Sequence, residues 1–257
     1  MPVNTFPTER TAILTGAASP RGIGIATAAQ LAREGWSIAI IDLDDTAAKA
    51  AAAQIGGQYG VAAYGIGADV TDENAVDVAI TAIEAALPPT VALVNLAGIS
   101  SPTDFMEETV AGWERVFKVN VTGTFIVIQR VLRGMIERRL GRIVAMSSIS
   151  AQRGGGTFSK SAYSASKGAI IGLIRSVARE MGQYGITANC VAPGAVDTDI
   201  MGGTLSAERK AAMSEGILVG RVGDRAEVAA LISYLVGEHA GYVTAATYDI
   251  NGGLQIS

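Results

Sequence analysis

Short apolar runs bounded by turn-forming residues recur along the chain, near positions 11–15, 37–42, 61–68, 91–96, 141–147, 186–192 and 245–250. Several are apolar at almost every position, as in Ile38-Ala39-Ile40-Ile41 and Val91-Ala92-Leu93-Val94, which is how a strand buried on both faces reads. Between them lie helical stretches near 23–34, 44–55, 73–86, one or two over 107–139, then 161–183 and 225–236. Strands alternating with helices predict a mostly parallel sheet covered on both sides. Right-handed crossovers order seven strands 3-2-1-4-5-6-7. The expectation is therefore an α/β, doubly wound fold formed by one domain over residues 1–257.

Composition narrows the function classes. With 49% hydrophobic residues in a chain of 257, a large single core is available. A net charge of −4 and an isoelectric point near 5.1 argue against nucleic acid as a partner, because a phosphate backbone demands a basic face. No apolar run reaches membrane-spanning length, and residues 1–10 lack an apolar signal core, so a soluble cytoplasmic protein with a small-molecule substrate is expected. Cys190 is the only cysteine and sits in a strand pattern, where it reads as a buried apolar residue. His239 is the only histidine and reads as an ordinary helix-end residue, so no metal site is expected.

The chemistry concentrates in Tyr163-Ser164-Ala165-Ser166-Lys167, where a phenol and an ammonium four residues apart share a helix face. Moving a phenol from a pKa of about 10 to about 7 takes roughly 4 kcal/mol. A unit charge about 4 Å away at an effective dielectric near 20 supplies roughly that much, so a fixed Lys167 is expected to poise Tyr163 for proton transfer by itself. The strand at Gly141–Met146 ends in Ser147-Ser148, which makes Ser148 the candidate partner hydroxyl. Near the N-terminus, strand 11–15 runs into Gly16-Ala17-Ala18-Ser19-Pro20-Arg21-Gly22-Ile23-Gly24 and then a helix. Such glycines let backbone amides approach a pyrophosphate, and the helix start attracts its charge. The next strand closes on Asp42, placed to hold a ribose diol.

Taken together, these motifs resemble the short-chain dehydrogenase/reductase family. The matches run in order along nearly the whole chain: Thr15-Gly16 with Gly22-Ile23-Gly24, Asp69-Val70, Asn95-Leu96-Ala97-Gly98, Asn120, Ser148, Tyr163 with Lys167, and Pro193-Gly194 with Thr198. The resemblance implies a Rossmann-like, nicotinamide-dependent oxidoreductase. Its catalytic residues would be Tyr163, which exchanges the substrate proton, Lys167, which lowers the tyrosine pKa and holds the nicotinamide ribose, Ser148, which orients the substrate oxygen, and Asn120, which supports a water relay to the lysine. It further implies cofactor contacts from Gly16, Arg21, Gly22, Ile23, Gly24, Asp42, Leu43, Asp69, Val70, Asn95, Ala97, Gly98, Pro193, Gly194, Val196 and Thr198. Three features depart from the family pattern. Pro20 and Arg21 lengthen the glycine turn. Leu96 removes an amide that would tie neighbouring strands. Ser148 lies fifteen residues before Tyr163, two more than usual, whereas Ser150 stands at the common spacing; Ser148 fits the strand end better.

Charge favours NAD over NADP. Asp42 beside a 2′-phosphate costs roughly 2 kcal/mol even in a water-like dielectric, Leu43 offers no second cation, and Arg21 alone argues the other way. The preferred reaction is reversible oxidation of a secondary alcohol of polyol, sugar or hydroxy acid type, with residues 197–220 capping the pocket. The alternative is NADPH-dependent reduction of a 3-oxoacyl thioester, in which Arg138, Arg139 and Arg142 would dock an acidic carrier protein. A non-catalytic dinucleotide sensor is disfavoured by the presence of both Tyr163 and Lys167. Ala165, Gly168, Ala169 and Gly172 form a small-residue stripe on the lysine-bearing helix. The resemblance implies a homodimer or homotetramer through this helix, the competing reading being that the stripe packs on the chain's own sheet.

Overall fold

The computed structural model describes residues 6–156, 159–199, 203 and 206–256. Seven strands form one sheet: β1 (Thr11–Thr15), β2 (Ser37–Asp42), β3 (Ala63–Gly67), β4 (Thr90–Asn95), β5 (Gly141–Met146), β6 (Ile186–Pro193) and β7 (Thr247–Ile250). Their order is β3-β2-β1-β4-β5-β6-β7, and every neighbouring pair is parallel. The direction of winding reverses between β1 and β4, which opens a crevice beyond the C-terminal ends of those strands. This is the expected single-domain, Rossmann-like fold.

Alternation along each strand builds two cores. Leu14, Ile38 and Ile40 point to a face covered by α1 (Ile23–Arg33), α2 (Asp45–Tyr59) and α9 (Arg225–Val236). Ile13, Ile41 and Leu93 point to the other, covered by α3 (Glu73–Ala86), α5 (Gly123–Arg138) and α7 (Ser161–Met181). Two glycines permit close packing of helix on sheet. A Cβ at Gly65 would fall 2.2 Å from the Ala48 carbonyl oxygen, and one at Gly24 would fall 2.5 Å from Ala17 Cα.

Four local features differ from the pattern reading. Helix α2 runs past Gly56 and Gly57 to Tyr59 and stops at Gly60, which adopts a left-handed φ of 69°. Helical hydrogen bonding outweighs the weak propensity of the glycine pair, and the left-handed cap sets the end. The long stretch 107–139 is α4 (Val110–Phe117) and α5 joined by a π turn over Lys118–Thr122, which inserts a residue and redirects Asn120 inward. Short α6 (Ser150–Arg153) and α8 (Ala207–Ser214) occupy segments read as loop. Of the expected substrate loop, Ile200, Met201, Thr204 and Leu205 lie outside the described residues.

Candidate active site

The end of β5 delivers Ser147 and Ser148 to the crevice, and α7 lays Tyr163 and Lys167 against it. Ser147 is not part of the reacting surface, because its hydroxyl donates to the Lys167 carbonyl at 2.9 Å and so anchors α7 to the strand end. Ser148 lines one cavity with Tyr163, where it favours the phenolate, and accepts from the Ser150 amide at 3.1 Å. Ser150 instead pairs with the Ser159 hydroxyl at 2.8 Å. The partner of the phenol is therefore set by the strand end, and the longer loop that follows absorbs the extra spacing.

Lys167 is 5% exposed and donates to the Met146 carbonyl at 2.8 Å, with its Nζ 5.6 Å from the centre of the Tyr163 ring. Burial pushes the ammonium down from 10.5 to about 8. Burial also pushes the Tyr163 phenol up from 10.0, opposed by the Ser148 hydrogen bond. This corrects the expectation that Lys167 alone brings the phenol toward neutrality. Both groups lose hydration in the same pocket, and for the phenol that loss outweighs a cation directed at a backbone carbonyl.

Asn120 is 1% exposed, and its side chain binds both polar groups of Ile99 while donating to Ser166 Oγ at 2.9 Å. A Cβ at Gly98 would lie 3.0 Å from Asn120 Oδ1 and 3.5 Å from Lys167 Nζ, so these three residues converge. Asn95 is turned away from the crevice. It accepts from Thr15 Oγ1 at 3.0 Å and donates to Thr124 Oγ1 at 2.8 Å, and Thr124 donates on to the Asn120 carbonyl at 2.6 Å. This relay ties β1, β4 and α5 together. It supplies what the Leu96 departure was expected to remove, and Thr124 has no signal in the sequence because a buried hydroxyl carries no pattern of its own.

Gly16 has a φ of 63°, and a Cβ there would meet Ala97 Cα at 2.7 Å, so backbone is laid on backbone beneath the turn. Gly22 caps α1 without a side-chain hydrogen bond, and the first turn of α1 holds no acid, which leaves its amides for an anion. Asp42 closes β2 and accepts from the Ala18 amide at 2.9 Å and the Leu43 amide at 2.8 Å, with Leu43 76% exposed beside it. Asp69 is exposed and accepts from the Thr71 amide, while Val70 is buried against Gly123. Ile23, Pro193, Gly194, Val196 and Thr198 line one cavity of about 350 Å³ with Ser148 and Tyr163. These residues fit a dinucleotide lying from Asp42 across the α1 start to Tyr163.

Arg21 is engaged elsewhere. Its guanidinium pairs with Asp197 at 2.8 Å and Asp199 at 3.0 Å, Ser19 donates to Asp199 at 2.7 Å, and Lys210 reaches Asp197 at 2.6 Å. The Ser19 hydrogen bond, and after it Arg21, hold the Asp199 carboxyl below its usual range. The glycine turn is thus latched to the segment after β6 and to α8. The arginines expected to dock a carrier protein form no such patch. Arg142 is 5% exposed inside β5, bonded to the Gly237 and Gly141 carbonyls, and Arg138 and Arg139 bind the Thr90 and Gln183 carbonyls. All three lie at the opposite end of β5 from Ser148, because α5 must turn there to enter the strand.

On α7, the buried residues are Ala162, Ser164, Ser166, Lys167, Ile170, Ile174 and Ala178, whereas Ala165 and Gly172 are exposed and Gly168 and Ala169 half-buried, so the small-residue stripe does not pack on the chain's own sheet. A Cβ at Gly168 or Gly172 would meet nothing within 4 Å. Among the described residues no group of three histidine, cysteine or acidic side chains is placed to hold a metal, and no helix is long and apolar enough to cross a membrane.

Comparison with known proteins agrees with this geometry. The family described as Enoyl-(Acyl carrier protein) reductase matches residues 16–255. An uncharacterized short-chain type dehydrogenase/reductase of Sinorhizobium fredii is 40% identical over 96% of this chain and 98% of its own length. The 3-oxoacyl-[acyl-carrier-protein] reductase FabG of Aquifex aeolicus is 38% identical over 95% of this chain and 97% of its own. The crystal structure of levodione reductase superposes with a TM-score of 0.84 at 32% identity, covering 95% of this chain and 96% of that one. The chain belongs to the short-chain dehydrogenase/reductase family, nicotinamide-dinucleotide-binding oxidoreductases that act on CH–OH groups.

Proposed function

We propose that this chain interconverts a secondary alcohol and its ketone with NAD(H), Tyr163 exchanging the substrate proton. The observation that carries this reading is one cavity lined together by Tyr163, Ser148 and the Pro193-Gly194 turn. A nicotinamide dinucleotide held along Asp42, the α1 start and the Pro193-Gly194 turn would supply the hydride acceptor for oxidation of the alcohol and the hydride donor for reduction of the ketone. Tyr163 takes the hydroxyl proton in the first direction and supplies it in the second, while Ser148 orients the oxygen. Because burial raises the phenol, it is protonated at neutral pH and ready to donate to a ketone. Oxidation needs the phenolate, so its kcat/KM climbs with pH through the alkaline range.

Preference for NAD is supported by Asp42 beside the glycine turn and by Arg21, the one cation that argued for a 2′-phosphate, being held by two carboxylates. A 3-oxoacyl thioester reductase is the second reading, favoured by the FabG relative. The buried and carbonyl-bound arginines give it no docking surface at the site. The open stripe on α7 supports a homodimer or homotetramer, which sedimentation at micromolar concentration tests. Fluorescence titration of NADH and NADPH tests the cofactor: NADH binds more tightly, and Asp42→Ala narrows the difference. Tyr163→Phe abolishes turnover and leaves NADH binding intact. Unchanged turnover removes the phenol from its role, and tighter NADPH binding overturns the cofactor assignment.

A further inference from the structure

Arg153 ends α6 at the rim of the cavity that holds Tyr163 and Ser148, just before Gly154 turns left-handed with a φ of 80°. Among the described residues lining that cavity it alone carries a formal charge. Several arginines of this acidic chain are met by carboxylates, Arg21 by Asp197 and Asp199, Arg130 by Asp77 and Glu84, Arg221 by Glu227, and others by short bonds to backbone carbonyls, as Arg138 and Arg225 are. Arg153 is met by none among the described residues. Its guanidinium makes one long bond, 3.5 Å to the Leu254 carbonyl, and Asp249 on neighbouring β7 is taken by Gln152 at 2.9 Å. Met213 and Leu254 complete the same wall, and apolar neighbours strengthen an ion pair formed against them.

A guanidinium is a planar fork of donors matched to a carboxylate, phosphonate or sulfonate. Exposed at the end of α6 and left without an internal anion, it is placed to receive one from outside. Building on the proposed alcohol/ketone chemistry, we infer that Arg153 selects substrates carrying an anionic group a few bonds from the reacting carbon, so that this chain acts on hydroxy or oxo acids rather than neutral polyols.

The test uses pairs of short oxo-carboxylates and their methyl esters, measured by NADH oxidation and by quenching of bound-NADH fluorescence. The unmodified protein favours the carboxylate by about ten- to hundredfold, chiefly through KM, and added salt erodes the preference. Arg153→Gln collapses the carboxylate-to-ester ratio toward one, and Arg153→Lys recovers part of it. A residue that merely tethers the C-terminal segment through Leu254 shifts both substrates together and leaves the ratio unchanged, which overturns the inference. Equal binding of acid and ester by the unmodified protein also overturns it. Turnover of both at similar rates removes only the role of Arg153, whereas binding of the acid without turnover of either removes the proposed alcohol/ketone chemistry and leaves Arg153 as an anion site.

Discussion

Replacing Lys167 by methionine should make the ligand-free protein more stable while abolishing its activity. Its ammonium falls from 10.5 to about 8 on burial, a gap that corresponds to roughly 3 kcal/mol by which the charged form destabilises the fold. A methionine of similar length fills the space, and the Met146 carbonyl loses its 2.8 Å donor at a cost of about 1 kcal/mol. The net gain near pH 7 is about 2 kcal/mol, or roughly 4–8 °C in Tm for a chain of this size. The pH dependence gives the sharper test. Between about pH 8 and 10.5 the unfolded chain holds the lysine proton and the folded chain does not, so the stability of the lysine protein rises through that window. Cys190, pushed up to about 12 by burial, works in the opposite direction above pH 9 in both proteins, so the difference between the two curves is the quantity to follow. Urea unfolding of ligand-free protein should show a gap in favour of methionine that is constant below about pH 8, closes between pH 8 and 10.5, and reverses to about 1 kcal/mol in favour of lysine above that window. A methionine variant less stable than the parent at pH 7, or a gap indifferent to pH, would refute the reasoning.

Two further substitutions probe the site from other directions. Ser148→Ala lowers kcat by 10²-fold or more with little change in cofactor binding, whereas Ser150→Ala, which loses only the bond to Ser159, leaves kcat within a few-fold; steady-state kinetics on both variants separates them. Gly16→Ala forces a side chain into a left-handed φ of 63° and 2.7 Å from Ala97 Cα, which destabilises the fold by at least 1–3 kcal/mol and weakens NADH binding, as read by thermal shift with and without NADH.

Elements buried on both faces were the most legible. The runs Ala12–Leu14, Ile38–Ile41 and Val91–Val94 are apolar because parallel strands covered on both faces bury every position. The Tyr163 and Lys167 pair was legible because helical spacing alone brings the two residues to one face. What stayed hidden depends on contacts distant in sequence. The π turn at Asn120 shows only once Ile99 and Ser166 claim its amide. Arg142 looks like surface charge in sequence, yet the Gly237 carbonyl and the Phe6 ring, 5.5 Å from its guanidinium, account for its burial. The sign of the Tyr163 shift was also out of reach, because spacing locates the neighbouring charge and says nothing about how much water both groups lose.

The hydroxyl and amide relay from Thr15 through Asn95 and Thr124 to Asn120 has an evolutionary corollary. Its members come from three separate segments, yet each satisfies the next, so an altered donor at one end strands an acceptor at the other. Single replacements along it should look harmful in isolation and be rescued in pairs, with coupling well beyond simple additivity. The relay ends on the backbone carbonyl of Asn120, which any residue there supplies, so lineages would change Thr15, Asn95 and Thr124 together or not at all.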